Sequence, residues 1–448
     1  MDNVRAVALD VLVKIDKKEA LSHQIIKDTL EKYQYSEKRD RSFFTRLCQG
    51  TLERQITIDY IIDQFSKTKV RKCKPVIRGI LRMSVYQMMY MEHVPDSAIC
   101  NEAVKLSKKR GFQRLSGFVN GVLRGIIRGR ETISYPKKEN SFIAYVSVKY
   151  SIPEWMVSFF LESYSKDEVE TIAASYLEPK KTTISIMTSK ISKEELIKKL
   201  QEQNVTVTPG NFMKEALFIS DYDFLNKIDA FRNGTCMVQD ESSMLAGHLA
   251  DVKEDQVVLD VCSAPGGKAL FIADKLNGTG KVIARDLTEY KEELIWENID
   301  RMHMENMTAQ VKDATELDEE MINQADIVIA DVPCSGLGII GKKGDIKYNI
   351  TRESFASLVQ LQREILSTVV QYVKPGGTLM FSTCTINPME NIDNVVWLQE
   401  QFDLKLVPLT DRMPEDLHIE TAKDGYIQLL PGIHPCDGFF IAKFRRSI

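Results

Sequence analysis

The 448-residue chain has eight cysteines but no pair spaced as CxxC. The scatter suggests neither a zinc site nor a disulfide framework, and a reducing, cytoplasmic compartment fits it best. No apolar run approaches the length of a membrane span, and Asp10 and Lys14 interrupt the N-terminal apolar pattern, which argues against a signal peptide. Strand signals are missing from the first 130 residues. Acids are missing where bases collect. None occurs between Asp63 and Glu92, where Lys67, Lys69, Arg71, Lys72, Lys74, Arg78 and Arg82 fall. None occurs between Glu102 and Glu131, where Lys105, Lys108, Lys109, Arg110, Arg114, Arg124, Arg128 and Arg130 fall. Residues 1–130 carry 26 Lys and Arg against 14 Asp and Glu, a net +12, while the remainder carries 33 against 49, so the overall −4 hides a segregation. A charge run is ordinarily a solvated helix face, but two acid-free basic stretches in an acidic protein favour a polyanion partner.

What is present fits a globular chain of two or three domains, with 44% hydrophobic and 27% charged residues. The pattern divides it into residues 1–135, 136–235 and 236–448. In the first part Val4, Val7, Ala8, Val11, Leu12 and Ile15 fall at helical spacing, and similar patterns recur at 43–65, 76–91 and 99–106. Residues 135–138 read as a linker, and Ile152-Pro153-Glu154-Trp155 as a helix start. A strand-like run at 182–187 and a charged helix at 192–203 suggest a small α+β domain. The segment from Gln239 to Ser243 precedes an apolar helix at 244–250, which either flanks a cofactor or is simply capped.

Residues 257–268 read Val-Val-Leu-Asp-Val-Cys-Ser-Ala-Pro-Gly-Gly-Lys, a strand, a tight turn and the start of a helix. Paired glycines let backbone N–H groups approach a ligand, and the helix start adds the positive end of a dipole. An ordinary strand-to-helix turn would read the same way, but the ends of the downstream apolar runs favour a cofactor loop. A second apolar run, 281–285, ends on Asp286, at the offset where nucleotide-binding folds place a carboxylate for ribose hydroxyls. A third leads to Asp313, a fourth ends at Asp331, and a fifth, 378–382, ends at Thr383-Cys384. Open α/β sheets bind ligands beyond the carboxyl ends of their strands, so these residues should meet in one crevice.

Asp331-Val-Pro-Cys334-Ser-Gly336 follows the fourth strand and Phe381-Ser-Thr-Cys384-Thr385 ends the fifth. Neighbouring strands lie about 4.8 Å apart, so Cys334 and Cys384 can face one substrate. Either cysteine alone would more often be a small buried hydrophobe. A thiol pair suits methyl transfer to carbon 5 of a pyrimidine, a poor nucleophile until a thiolate adds at carbon 6. A free thiol of pKa about 8.5 is only a few per cent thiolate at pH 7, so the site must activate it. Asp331, if protonated, could bond ring nitrogen 3, and expelling the thiolate afterwards needs a second acid/base group.

Residues 5–10, 59–62 and 118–124 resemble the all-helical RNA-binding domain of the NusB antitermination factor, over nearly all of residues 1–130. Residues 260–268, 331–338 and 381–386 resemble the RNA cytosine-5 methyltransferases of the Sun/Fmu type, in the branch acting on 16S ribosomal RNA. Leu430-Pro-Gly432, Asp437-Gly-Phe-Phe440 and Asn387-Pro-Met-Glu390, with Asn387 as a helix cap, also fit. The resemblance implies a NusB-like helical domain, a small α+β RNA-positioning domain and a Rossmann-like class I methyltransferase domain whose sheet has seven strands and a final reversed hairpin. It implies S-adenosylmethionine as cofactor, held by Cys262, Ser263, Ala264, Pro265, Gly266, Gly267, Lys268, Asp286, Asp313 and Asp331. Cys384 would be the nucleophile, Cys334 would assist release of the RNA, Asp331 would take part in catalysis, and Lys268 would lie near the junction of cofactor and substrate. The expected partner is 16S ribosomal RNA, with no metal and no membrane, and the protein is expected to be a monomer.

Ser185-Ile-Met187, Gly341 and Gly344 depart from the family pattern and put RNA docking through those segments in doubt. Two alternatives remain open: the same chemistry on transfer RNA or another ribosomal site, and a non-catalytic RNA-binding assembly or antitermination factor that would bind RNA without cofactor.

Overall fold

The computed structural model describes residues 3–19 and 22–448. The chain forms two compact units, Met1–Leu177 with Lys342–Asn349, and Glu178–Gly341 with Ile350–Ile448.

In the first unit the chain forms α1 (Val4–Asp16), α2 (Ser22–Lys32), α3 (Lys38–Glu53), α4 (Gln55–Phe65), α5 (Pro75–Tyr90), α6 (Asp96–Lys109), α7 (Ser116–Arg128), α8 (Phe142–Tyr150), α9 (Glu154–Phe160) and α10 (Lys166–Ser175). The helices form because apolar residues recur at three- and four-residue steps: in α7, Val119, Val122, Leu123 and Ile126 are buried on one face. The helical pattern at 43–65 resolves into α3 and α4, which meet at Arg54 with φ −102 and ψ 14. Its guanidinium lies 4.6 Å from the centre of the Tyr90 ring, which fixes the joint.

The basic stretches divide by geometry. Arg82 is buried in an ion pair with Asp59 at 2.7 Å and another with Asp16 at 3.2 Å, and Arg78 also pairs with Asp16. Lys67, Lys69, Arg71, Lys72 and Lys74 are exposed, as are Lys108, Lys109, Arg114, Arg124 and Arg128.

The second unit opens with β1 (Thr182–Ile186), α11 (Lys193–Glu202), β2 (Thr206–Pro209), β3 (Ala216–Ser220), α12 (Asp229–Arg232) and β4 (Cys236–Val238). These strands make an antiparallel sheet in the order β2-β3-β1-β4. Helix α11, capped by Ser192, buries Leu196 and Leu200 in the core of this part. Strand β4 lies beyond residue 235, so the small sheet takes its last strand from the segment that the sequence pattern joins to the next domain. Ser185 and Met187 are fully buried here.

The rest comprises α13 (Glu241–Leu249), β5 (Val257–Asp260), α14 (Gly267–Lys275), β6 (Lys281–Asp286), α15 (Glu289–Arg301), β7 (Met307–Val311), β8 (Ala325–Asp331), α16 (Ile346–Asn349), α17 (Ser354–Val369), β9 (Val373–Thr383), α18 (Ile392–Gln401), β10 (Leu404–Leu406), β11 (Tyr426–Leu429) and β12 (Phe439–Arg446). The sheet runs β10-β12-β9-β8-β5-β6-β7, with β11 also paired to β12. Strands β5 to β9 are parallel, and the central β5 and β8 are mostly apolar, as strands covered on both faces are. The expected seven strands are eight. The antiparallel β12 is bordered by β10 at one end and β11 at the other, because residues 407–425 leave the sheet between them.

The segment Lys342–Asn349, which includes α16 and Gly344, packs with the first unit. Lys347 is buried and donates to the Glu53 carbonyl at 2.8 Å, and the Tyr348 hydroxyl donates to that of Leu52 at 2.9 Å. Burial drives the Lys347 pKa down to about 7, with Glu53 opposing.

Candidate active site

The strand order reverses between β5 and its neighbours β6 and β8, and the crevice beyond their carboxyl ends collects the residues marked by the sequence. Gly266, at φ +98, makes the turn into α14, a conformation that favours glycine. Asp286 holds this loop: its Oδ2 accepts the Ala264 N–H at 2.9 Å, and its Oδ1 accepts the Leu287 N–H and Lys291 Nζ, each at 2.8 Å. One lone-pair position on Oδ2 is left for a ligand. Asp313 lies two residues beyond β7 rather than at its end. It accepts the side-chain and backbone donors of Thr315, which hold its carboxyl below the usual range.

A cavity of about 220 Å³ lies against the loop, lined by Gln239, Asp260, Ser263, Lys268 and Asp331 among others. Three buried polar atoms on its lining residues lack hydrogen-bond partners: Gln239 Oε1, Asp260 Oδ1 and Ser263 Oγ. Each such atom costs roughly 1–3 kcal/mol unless something polar meets it. Burial also pushes the Asp260 pKa up to about 7, with Lys268 opposing. A ligand carrying an ammonium and hydroxyls would relieve all three, so the donor set fits the cofactor expected from the sequence. A larger cavity of about 430 Å³ lies in the first unit, but none of its lining residues carries such an atom. Gln239 also donates to the Gly267 carbonyl at 3.1 Å, while Asp240 caps α13. The 239–243 segment therefore caps the helix and also lines the cavity beside the loop. Cys262 packs partly into the core beside the loop, and burial raises its thiol pKa.

The residues expected to be catalytic meet because β8 and β9 run parallel with Asp331 opposite Ser382. Ser382 Oγ donates to Asp331 Oδ1 at 2.8 Å, and Lys268 Nζ donates to Asp331 Oδ2 at 2.6 Å. Asp331 thus accepts from a serine hydroxyl on one oxygen and from the Lys268 ammonium on the other. The proton donor beside it is Lys268. Burial pulls the Lys268 pKa down, but Asp331, Asp260 and Cys384 outweigh burial and hold it above its ordinary value. Beyond these strand ends the Cys334 and Cys384 Sγ atoms lie 3.3 Å apart. Contact with Cys384, then burial, raises the Cys334 thiol well above its usual range, and Glu390 and Asp331 add to the effect.

Two glycines pack against the Cys384 segment. Gly338 N–H donates to the Cys384 carbonyl at 3.0 Å, and Gly438 N–H donates to the Gly338 carbonyl at 2.9 Å. A Cβ on Gly338 would fall 2.1 Å from the Gly438 carbonyl oxygen, so the segments approach this closely only through glycine. Asn387 caps a single 3-10 turn, Pro388–Glu390, not α18, because the chain turns again at Asn391 before that helix starts.

Residues 248–445 match the family model described as 16S rRNA methyltransferase RsmB/F, residues 2–128 the NusB family, and residues 152–222 the ferredoxin-like domain of RsmF/B-like methyltransferases. The chain is 36% identical to a probable ribosomal RNA small subunit methyltransferase B of Bacillus subtilis (strain 168), with 99% of each chain covered. It is 29% identical to the Synechocystis protein of the same description, over the whole of both. Among solved structures, PH0851 superimposes with a TM-score of 0.82 at 24% identity over 99% of each chain. NSun6 from Pyrococcus horikoshii, solved with SFG, gives a TM-score of 0.59 at 22% identity, covering 66% of this chain and 98% of its own.

Proposed function

The chain belongs to the RsmB/F family of 16S rRNA methyltransferases, and on that premise we propose that it transfers a methyl group to carbon 5 of a cytosine in small-subunit ribosomal RNA through a covalent adduct on Cys384. The methyl donor is S-adenosylmethionine, which supplies an electrophilic sulfonium methyl when bound. The observation that carries the reading is the thiol pair, 3.3 Å apart, beside the Lys268–Asp331 ion pair.

Cys384 lies within electrostatic reach of the Lys268 ammonium, and Cys334 lies under the influence of Glu390 and Asp331. In this reading Cys384 is the nucleophile, and Cys334, whose thiol is held well above its usual range, stays protonated at the start. The Cys384 thiolate adds to carbon 6 of the ring, and the displaced π electrons make carbon 5 nucleophilic. The Asp331 carboxylate accepts from the cytosine amino group while Lys268 donates to the ring-nitrogen edge, where negative charge develops. Gln239, Asp260 and Ser263 would hold the polar end of the donor, and Asp286 its ribose.

Asp260 gives this binding a pH dependence. Its folded-state pKa of about 7 is raised, so it is neutral below that pH and a carboxylate above it. Donor affinity measured by calorimetry is expected to fall about tenfold for each pH unit below 7 and to level off just above. Asp260→Asn should flatten the profile and weaken binding at pH 7.5.

The exposed bases of the helical unit would grip RNA phosphates while the target base is unstacked. Replacing Lys67, Lys69 and Arg71 by Gln together should weaken RNA binding at low salt. The slope of log affinity against log salt should flatten by about 0.7 to 0.9 for each phosphate no longer neutralised. An unchanged slope in filter-binding titrations would remove this face from the interface. The proposal as a whole is tested by bisulfite sequencing of ribosomal RNA from cells with and without the gene. One cytosine of the small-subunit RNA should lose protection in its absence.

A further inference from the structure

Cys334 and Cys384 lie beyond the ends of β8 and β9, so strand pairing alone does not fix the distance between their sulfur atoms. Beneath them lies Glu390, fully buried and, among the described residues, in no ion pair. Its Oε2 accepts the Ser335 N–H at 2.8 Å and Gln362 Nε2 at 2.9 Å, and its Oε1 accepts Asn387 Nδ2 at 2.8 Å. Gln362 Nε2 also donates to the Pro333 carbonyl at 2.9 Å, so the residues on both sides of Cys334 are tied to one glutamate–glutamine pair. The Cys384 loop is stitched to the same group. Ser335 Oγ and Thr385 Oγ1 are 2.7 Å apart, and Asn391, the residue after Glu390, donates to the Thr385 carbonyl at 3.0 Å and accepts Thr383 Oγ1 at 2.6 Å. Asn394 closes the ring by donating to Gln362 Oε1 at 2.8 Å.

A carboxylate held away from water without a cation is tolerated only where several donors satisfy it in fixed geometry, and such a network rigidifies whatever it touches. Here it touches the flanks of both thiols. We propose that Glu390, acting with Gln362, is a positioning residue that holds the Cys334 and Cys384 sulfur atoms together over one ring. It touches no reacting atom itself. The catalytic consequence rests on the methyl transfer proposed above, whereas the geometric claim does not.

The test uses the full chain with Glu390→Ala and Glu390→Gln. In each, the rate at which diamide links Cys334 to Cys384 is followed by mass spectrometry. Two thiols lose two protons and two electrons to form the S–S bond, and the azo group of diamide takes them up to become the hydrazine. The rate reports the sulfur–sulfur geometry without RNA or cofactor. Glu390→Ala is expected to slow it about a hundredfold, the loss that a displacement of about 1 Å causes between reacting groups. Glu390→Gln sets two amide donors, its own and that of Asn387, against each other, and is expected to slow it about tenfold. The kcat for RNA methylation should fall in parallel, with the KM for RNA and the calorimetric affinity for S-adenosylmethionine unchanged.

If Glu390→Ala does not fold, Glu390→Gln decides. A folded variant that forms the disulfide at the wild-type rate overturns the proposal. So does one whose donor affinity falls as steeply as its disulfide rate, since the loss would then be of the whole domain. Rapid disulfide formation in a wild-type protein that methylates no cytosine would sink the enzymatic reading and leave the positioning role standing.

Discussion

Cys384→Ala is expected to abolish methyl transfer and the covalent RNA complex together, while S-adenosylmethionine still binds. Carbon 5 of cytosine becomes nucleophilic only after addition at carbon 6, and on the proposed route the Cys384 sulfur makes that addition. Removing a nucleophile of this kind costs on the order of 10⁴ to 10⁶ in kcat. The fold should tolerate the change, since Cys384 is only partly buried and the 220 Å³ cavity does not include it. Calorimetric donor affinity is therefore the control. Methyl incorporation into ribosomal RNA and a denaturing gel give the two readouts. Residual activity within tenfold of wild type would transfer the nucleophile to Cys334 or end the covalent route. An adduct that persists in Cys384→Ala would do the former alone.

Much of this site is legible in the sequence, and the reason is local. Apolar runs that stop at Asp260, Asp286, Asp331 and Cys384 mark strand ends, and parallel strands deliver their ends to one crevice. The illegible remainder depends on partners from distant segments. The partner of Asp331 cannot be read from its own strand, because the Lys268 that pairs with it comes from the start of α14. Glu390 is visible only as part of a capping motif, since beyond Asn387 of its own turn its acceptors are filled by Ser335 and Gln362 from distant segments. Lys347 reads as a surface residue by type yet is buried, because Glu53 and its carbonyl wait for it some 294 positions away. Arg78 and Arg82 read as part of a basic face, but Asp16 and Asp59 turn them inward. The eighth strand is hidden because β10 and β11 are too short to carry an alternating pattern. Gln239 stands out by its place before α13, while its unpaired Oε1 needs the fold to be visible.

Cys334→Ala is expected to do the opposite of Cys384→Ala and to leave enzyme fixed to methylated RNA. The first cause of the high Cys334 pKa is its contact with the Cys384 sulfur. Once that sulfur is bonded to carbon 6 it can no longer carry charge, and the contact stops opposing ionisation of Cys334. On the proposed route the thiol gives up its proton at this stage, although burial, Glu390 and Asp331 still oppose it, and this is the one proton the overall reaction releases. The Cys334 thiolate, now a base, takes the hydrogen from carbon 5, the C–H electrons form the 5,6 double bond, and Cys384 leaves as a thiolate. Cys334 ends as a thiol, and both sulfurs are back where they began. On the proposed route Cys334 thus resolves the adduct. Without it, addition and methyl transfer proceed but elimination loses its base, a deficit of about 10² to 10⁴ in rate. Incubation with RNA and S-adenosylmethionine labelled in the methyl group should give a denaturation-resistant band, close to stoichiometric with enzyme, that carries the label. The double variant Cys334→Ala/Cys384→Ala should give none. A labelled band in the double variant would assign the adduct to another residue. Free turnover by Cys334→Ala at the wild-type rate would show that a different group removes the proton.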